Sequence, residues 1–188
     1  MYVSMTDEQL VTEALNDIEA FGALIDRYES RLMGYVLRIS SFRVEEVEEI
    51  LQEVFVKAWK NLRGFDSSLK FSSWLYRIAH NETISSFRKY KSRGQDQTVS
   101  WNPELFDFAS DELEISAVLD VKTRAARVHA ALEQLKPAYR EILVLKYLED
   151  QSYEEMSDIL KKPMGTVATL LNRAKKAFKV NYNPLNDD

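Results

Sequence analysis

Between Lys70 and Lys91 the chain interleaves aromatic rings with cations. The run KFSSWLYRIAHNETISSFRKYK sets Phe71, Trp74, Tyr76, Phe87 and Tyr90 among Lys70, Arg77, Arg88, Lys89 and Lys91, with Glu82 as its single acid. Rings that stack on unpaired bases, beside cations that follow phosphates, are the chemistry of single-stranded nucleic-acid binding. Core packing competes for the same rings: Trp74, Ile78, Ile84 and Phe87 suit an interior equally well, and most of the aromatics are expected there.

A second basic stretch runs from Lys161 to Lys179, with Lys161, Lys162, Arg173, Lys175, Lys176 and Lys179 and no acid. The overlapping segment from Tyr153 to Phe178, YEEMSDILKKPMGTVATLLNRAKKAF, fits a helix-turn-helix, in which a first helix braces a second that enters the major groove. The small Ser157 lets the two helices approach, Met156 and Val167 fill the joint, and Thr166, Thr169, Asn172, Arg173 and Lys176 face outward. An ordinary helical hairpin with solvated lysines is the plainer alternative.

Catalytic chemistry finds little footing. The chain lacks a glycine-rich phosphate loop, a thiol, and a histidine beside an evident nucleophile. With no cysteine and only His80 and His129 as imidazoles, neither a zinc site nor a disulfide framework is expected, and no cofactor. Glu45, Glu46, Glu48 and Glu49 crowd one helix start, where the helix dipole favours acids, and read as a solvated face or a docking surface for a basic partner.

The elements that position these groups are all helical by periodicity. Thr6 with Gln9 forms a capping box opening a helix at about Asp7, followed by an apolar stripe from Phe21 to Ile39. Ser40 and Ser41 mark a break. Val47, Ile50, Leu51, Val54, Phe55, Ala58 and Leu62 line a third helix whose opposite face carries Glu49, Gln52 and Glu53. A loop at Gly64 to Ser68 precedes a helix from about Ser72 to Arg88. Further on, Val128, Ala131, Leu132 and Leu135 resume the period, Pro137 starts a helix with Ile142, Leu143, Leu145 and Leu148 inward, and Ser152 with Glu155 makes another capping box. Pro163 opens the last helix, and the tail from Asn181 reads as frayed.

The 188 residues carry a formal net charge of −5, yet that balance hides a pattern. From Gly94 to Asp120 seven acids occur with no lysine or arginine, so an acidic connector with a short helix near Leu113 to Leu119 separates two basic modules. No run approaches the roughly 20 apolar residues of a membrane span, and the start MYVSMTDEQL lacks the pattern of a signal peptide, so the chain is expected in the cytosol, without membrane insertion. The expected fold is all-α: two small helical domains over 1–93 and 125–180, an acidic linker over 94–124 and a tail over 181–188.

Taken together, EAFGALIDRYESRLMGYVLRI, EEVEEILQEVFVKAWKNLRGFD and FSSWLYRIAHNETISSFRK resemble the second conserved region of the extracytoplasmic-function sigma factors. PAYREILVLKYLEDQSYEEMSDILKKPMGTVATLLNRAKKAF resembles their fourth. The resemblance covers most of the chain except the connector and both tips. It implies a subunit that directs core RNA polymerase to promoters, with polymerase performing the catalysis. It implies that Glu49, Gln52 and Glu53 dock on the clamp helices of the largest polymerase subunit. It assigns Lys70, Phe71, Ser72, Arg77, His80, Asn81 and Arg88 to the melted minus-ten strand, and Lys162, Thr166, Thr169, Asn172, Arg173 and Lys176 to the minus-thirty-five duplex. The fourth region is expected to grip the flap of the second-largest subunit, the connector to thread towards the RNA exit path, and an anti-sigma factor is a candidate further partner.

The sequence departs from the family pattern in places. Ala168 and Leu170 stand where basic residues are common, Lys161 replaces a frequent turn glycine, and Ser85 replaces a frequent aspartate. Two other readings are a dimeric operator-binding regulator and a helical adaptor that binds no DNA. The QEVF and FSSW segments disfavour the first, and the two basic stretches disfavour the second.

Overall fold

The computed structural model describes residues 2–92 and 125–182. The connector, its expected short helix and the residues beyond Tyr182 lie outside the described residues. Every regular element among the described residues is helical. After a 3-10 turn at Tyr2–Ser4, α1 spans Asp7–Ala14 and α2 Ile18–Ile39. Helix α3 covers Val44–Asn61 and α4 Phe71–Ser92, with a 3-10 turn at Leu62–Gly64 between them. In the second half α5 covers 125–133, α6 Pro137–Tyr147, α7 Tyr153–Leu160 and α8 Met164–Asn181.

Local chemistry sets the ends. The hydroxyl of Thr6 accepts from the Gln9 N–H while the Gln9 side chain accepts from the Thr6 N–H, closing the box expected at α1. Asp17 caps α2 through the Glu19 N–H, and Ser152 with Glu155 repeats the box at α7. Helix α2 ends where Ser40 turns extended and its hydroxyl donates back to the Val36 carbonyl. Helix α4 outruns its expected end at Arg88 by four residues, because Phe42 packs on the Phe87 and Tyr90 rings and holds that last turn.

In the first half the core is the joint interior of α1 to α4. Leu24, Leu32, Tyr35 and Val36 of α2 meet Val47, Val54 and Ala58 of α3 and Phe71, Leu75 and Ala79 of α4, all nearly or fully buried. In the second half Ile142, Val144 and Leu145 of α6 pack with Met156 and Ile159 of α7 and Val167 and Leu171 of α8. Leu148 departs from its expected inward place: it is 46% exposed, and Val144 takes the interior position. The tail also starts later than expected, since α8 continues through Asn181 and Tyr182 stacks on Phe178 at 5.5 Å. The two halves pack on each other, α6 against α2 and α7 against α4.

Candidate nucleic-acid interface

Helices α7 and α8 form the expected helix-turn-helix. Met156 and Val167 are fully buried at the joint. The turn closes on Lys161, which adopts a left-handed backbone with φ of 51°, and on Ser157, whose hydroxyl donates to the Lys162 carbonyl at 2.6 Å. Ser157 is therefore a hydrogen-bonding clasp as well as a small residue. Thr166, Thr169, Asn172, Arg173 and Lys176 are all exposed along the outer face of α8, and Lys162 is exposed in the turn before it. The Thr169 hydroxyl donates to the Gly165 carbonyl at 2.9 Å, so towards a base edge it retains acceptor lone pairs and its methyl group. Leu170 packs against the core from a partly buried position, which removes it from the groove-facing set, while Ala168 is half-buried.

On α4 the expected strand-binding residues divide. Asn81 and Arg88 are exposed, and Ser72, Arg77 and His80 are half-buried. Phe71 is 1% exposed, wedged edge-on against Tyr28 and Phe65, and so lies beneath the surface rather than on it. Trp74 and Tyr76 are core as well and Tyr90 packs on Phe42, so the accessible part of this face consists of cations and small polar groups together with Phe87, which leans on Phe42 and stays 36% exposed. Lys70 pairs with Glu155 of α7 at 2.8 Å, and that partner raises its pKa above the ordinary lysine value. Burial works to raise the Glu155 carboxyl, but bonds from Lys70 and Ser152 outweigh it and leave Glu155 below its ordinary value.

Helix α3 turns Glu49, Gln52 and Glu53 outward, where they line one side of a cleft of about 390 Å³ whose far wall is Glu82, Ser86, Lys89 and Tyr90 of α4. Val56 and Trp59 extend the exposed α3 surface with apolar area, 45% and 40% exposed. A further recess of about 350 Å³ lies between α5, α6 and α8. It is walled by Val128, Leu132, Leu143, Leu148 and Phe178, with Lys175 and Lys179 at its rim. This is where the misassigned Leu148 goes.

Sequence reasoning missed a buried polar seam between the halves. The Tyr35 hydroxyl donates to Glu141 Oε1 at 2.8 Å, and His80 Nδ1 meets the same oxygen at 2.5 Å. The Tyr76 hydroxyl donates to Glu149 Oε2 at 2.5 Å, and Arg38 Nη1 to Glu149 Oε1 at 3.3 Å. Gly34 clears the way for Arg38, since a Cβ there would meet Nη1 at 2.6 Å. Both phenols are pushed well above their ordinary pKa, by burial first and then by the facing carboxylates, so they stay donors. One signal was present in the sequence: Glu141 falls in phase with Leu145 and Leu148 on the stripe taken as apolar.

Comparison with known proteins accords with this geometry. The model of Sigma-70 region 2 matches residues 24–93, and that of Sigma-70, region 4 matches residues 125–178. The chain is 34% identical to the ECF RNA polymerase sigma factor SigW of Bacillus subtilis, over 90% of this chain and 92% of SigW. It is 30% identical to the RNA polymerase sigma-H factor of Pseudomonas aeruginosa over 98% of each. Among solved structures, CnrH in complex with the cytosolic domain of CnrY aligns with a TM-score of 0.65 at 25% identity, covering 93% of this chain and 95% of CnrH. The sigma factor RpoE of Bartonella quintana, in complex with the anti-sigma factor NepR, shares the fold at a TM-score of 0.67 and 23% identity, over 89% of this chain and 98% of that one. With both regions matched in order and relatives aligned along nearly its whole length, the chain belongs to the sigma-70 family of RNA polymerase sigma factors, in the extracytoplasmic-function group.

Proposed function

We propose that the chain divides promoter work between its halves, 1–93 and 125–180, with 94–124 as the connector and polymerase supplying all catalysis. The observation that carries this reading is the outer face of α8 together with the turn before it: two cations and three polar side chains on the helix and Lys162 in the turn, all exposed and backed by the braced joint with α7. Arg173 and Lys176, in the later turns, hold phosphates of the minus-thirty-five duplex with Lys162, while Thr166, Thr169 and Asn172 approach base edges. On α4, Arg77, His80, Asn81 and Arg88, with Lys70 and Ser72 at its start, hold the melted minus-ten strand, and Phe71 supports that loop from below.

Helix α3 docks Glu49, Gln52 and Glu53 on the clamp helices of the largest subunit, and the apolar recess on the second half receives the flap of the second-largest. Among the described residues no helix is long and apolar enough to cross a membrane. We place the protein in the cytoplasm, on the nucleoid through polymerase, with an anti-sigma factor as a further partner.

The docking assignment is tested by Gln52→Ala with Glu53→Ala. Both side chains are exposed, so folding stability should change by no more than about 0.5 kcal/mol per site. The doubly substituted chain should lose competition for core polymerase while its circular dichroism stays the same. Undiminished competition would refute the docking face.

A further inference from the structure

The apolar recess on the second half has a cationic rim and, among the described residues, no acid in its lining. Its walls hold side chains that folding leaves uncovered: Tyr147 is 57% exposed and Leu148 46%. Lys175 and Lys179 stand one turn apart on α8, with Lys175 Nζ 5.5 Å from the centre of the Tyr147 ring. The occupant that suits such a surface brings an apolar anchor with carboxylates a few residues away from it.

The chain itself supplies that pattern beside the recess. Phe178, one of the walls, carries the Tyr182 ring stacked on it, and at Tyr182 the backbone turns extended and leaves α8. The residues that follow are Asn183, Pro184, Leu185, Asn186, Asp187 and Asp188. Pro184 cannot prolong a helix, and it biases Asn183 towards an extended backbone, so the direction of α8 is not continued. Three residues of extended chain reach about 10 Å and six about 20 Å, whereas Phe178 stands one turn, about 6 Å, back from Tyr182. Leu185 can therefore reach the recess, and Asp187 and Asp188 its two lysines.

We propose that residues 183–188 dock on this recess, with Leu185 among Val128, Leu132 and Phe178 and with Asp187 and Asp188 on Lys175 and Lys179, and so compete with the polymerase flap for one surface. The competition rests on the flap reading given above. A recess that is covered most of the time binds any other ligand with an affinity scaled by the uncovered fraction, so the segment sets how readily the second half engages polymerase. Salt screens the two exposed ion pairs and loosens the cover.

Because the chain has no cysteine, Leu148→Cys places a single thiol on the recess wall, at a position exposed enough that the replacement leaves the core intact. Its rate of alkylation by a small maleimide reads the cover. Leu185→Ser should speed that reaction roughly fivefold, as expected if the recess is uncovered about a fifth of the time. Added salt should speed it in the chain that keeps Leu185 and leave the Leu185→Ser chain unchanged. The purified flap domain of the second-largest polymerase subunit should protect the thiol in both chains, at roughly fivefold lower concentration in the substituted one. Equal alkylation rates with and without Leu185→Ser overturn the proposal, as would be found if residues 94–124 covered the recess instead. Protection that grows with protein concentration overturns it as well, because the occupant is then a second copy. Failure of the flap reading has its own signature: the flap domain leaves the thiol unprotected even in the Leu185→Ser chain, while that substitution still speeds alkylation, so the docking stands and the competition falls.

Discussion

At the scale of single residues, function here depends on which atoms are left over after folding. Thr169 spends its hydroxyl proton within α8 and Leu170 is partly buried, so readout at the minus-thirty-five element falls to acceptor lone pairs, methyl contact and shape more than to arginine on guanine. Arg173→Ala should weaken holoenzyme binding to cognate and single-base-variant promoters alike and lower the salt slope by about one unit. Thr169→Ala should instead alter the preference among variants, since one base contact is worth roughly 1–3 kcal/mol. Loss of discrimination at a single base pair on Arg173→Ala, with the salt slope intact, would reverse the two roles. A pH effect belongs to the same scale. Burial lowers His129 below its ordinary 6.5, reinforced by Arg140 and Arg38 and opposed by Glu133. Its folded-state value being depressed, the stability tied to the neutral ring is complete above pH 6.5 and declines as pH falls below it. His129→Gln should flatten that part of the decline in denaturation midpoints measured on either side of this pH, and an identical slope would show that His129 is not its source.

At the scale of elements, the sequence was most readable where structure is local. The capping pairs Thr6 with Gln9 and Ser152 with Glu155 lie within one turn, and both form as their types require. Apolar phase was a weaker guide. Leu148 shares the stripe of α6 but sits beyond its last turn, where α5 and α8 leave a recess instead of a core. The turn between α7 and α8 keeps a cost that its residue type reveals. Lys161 holds a φ of 51°, a region that disfavours any side chain with a Cβ, whereas glycine enters it freely. Lys161→Gly should therefore raise stability by about 1 kcal/mol, read as a higher denaturant midpoint at unchanged slope. A lowered midpoint would mean that the lysine side chain contributes more than the strained backbone loses.

At the scale of the whole molecule, the fold class and both regions were legible because each depends on patterns within one helix or one helical pair. The seam was not, because Tyr35 finds Glu141 at a separation of 106 residues and Tyr76 finds Glu149 at 73. Periodicity records that a tyrosine faces inward and says nothing of which carboxylate will meet its hydroxyl. The same gap hid the fate of the α4 aromatics, whose interleaving with cations suggested stacking on bases until burial removed Phe71, Trp74 and Tyr76 from reach. What remains accessible is a polar and basic face, with Phe87 as its exposed ring, that is partly engaged with the other half, in a chain of net charge −5. Such a molecule should need polymerase to act on DNA. The most direct measurement is start-site mapping after multiple-round transcription of native genomic DNA by core polymerase, with and without the purified chain. The account predicts new starts at defined positions that share a pair of upstream elements at fixed spacing, all lost when Arg173→Ala is combined with Gln52→Ala and Glu53→Ala. Start sites indistinguishable from those of core polymerase alone would contradict it.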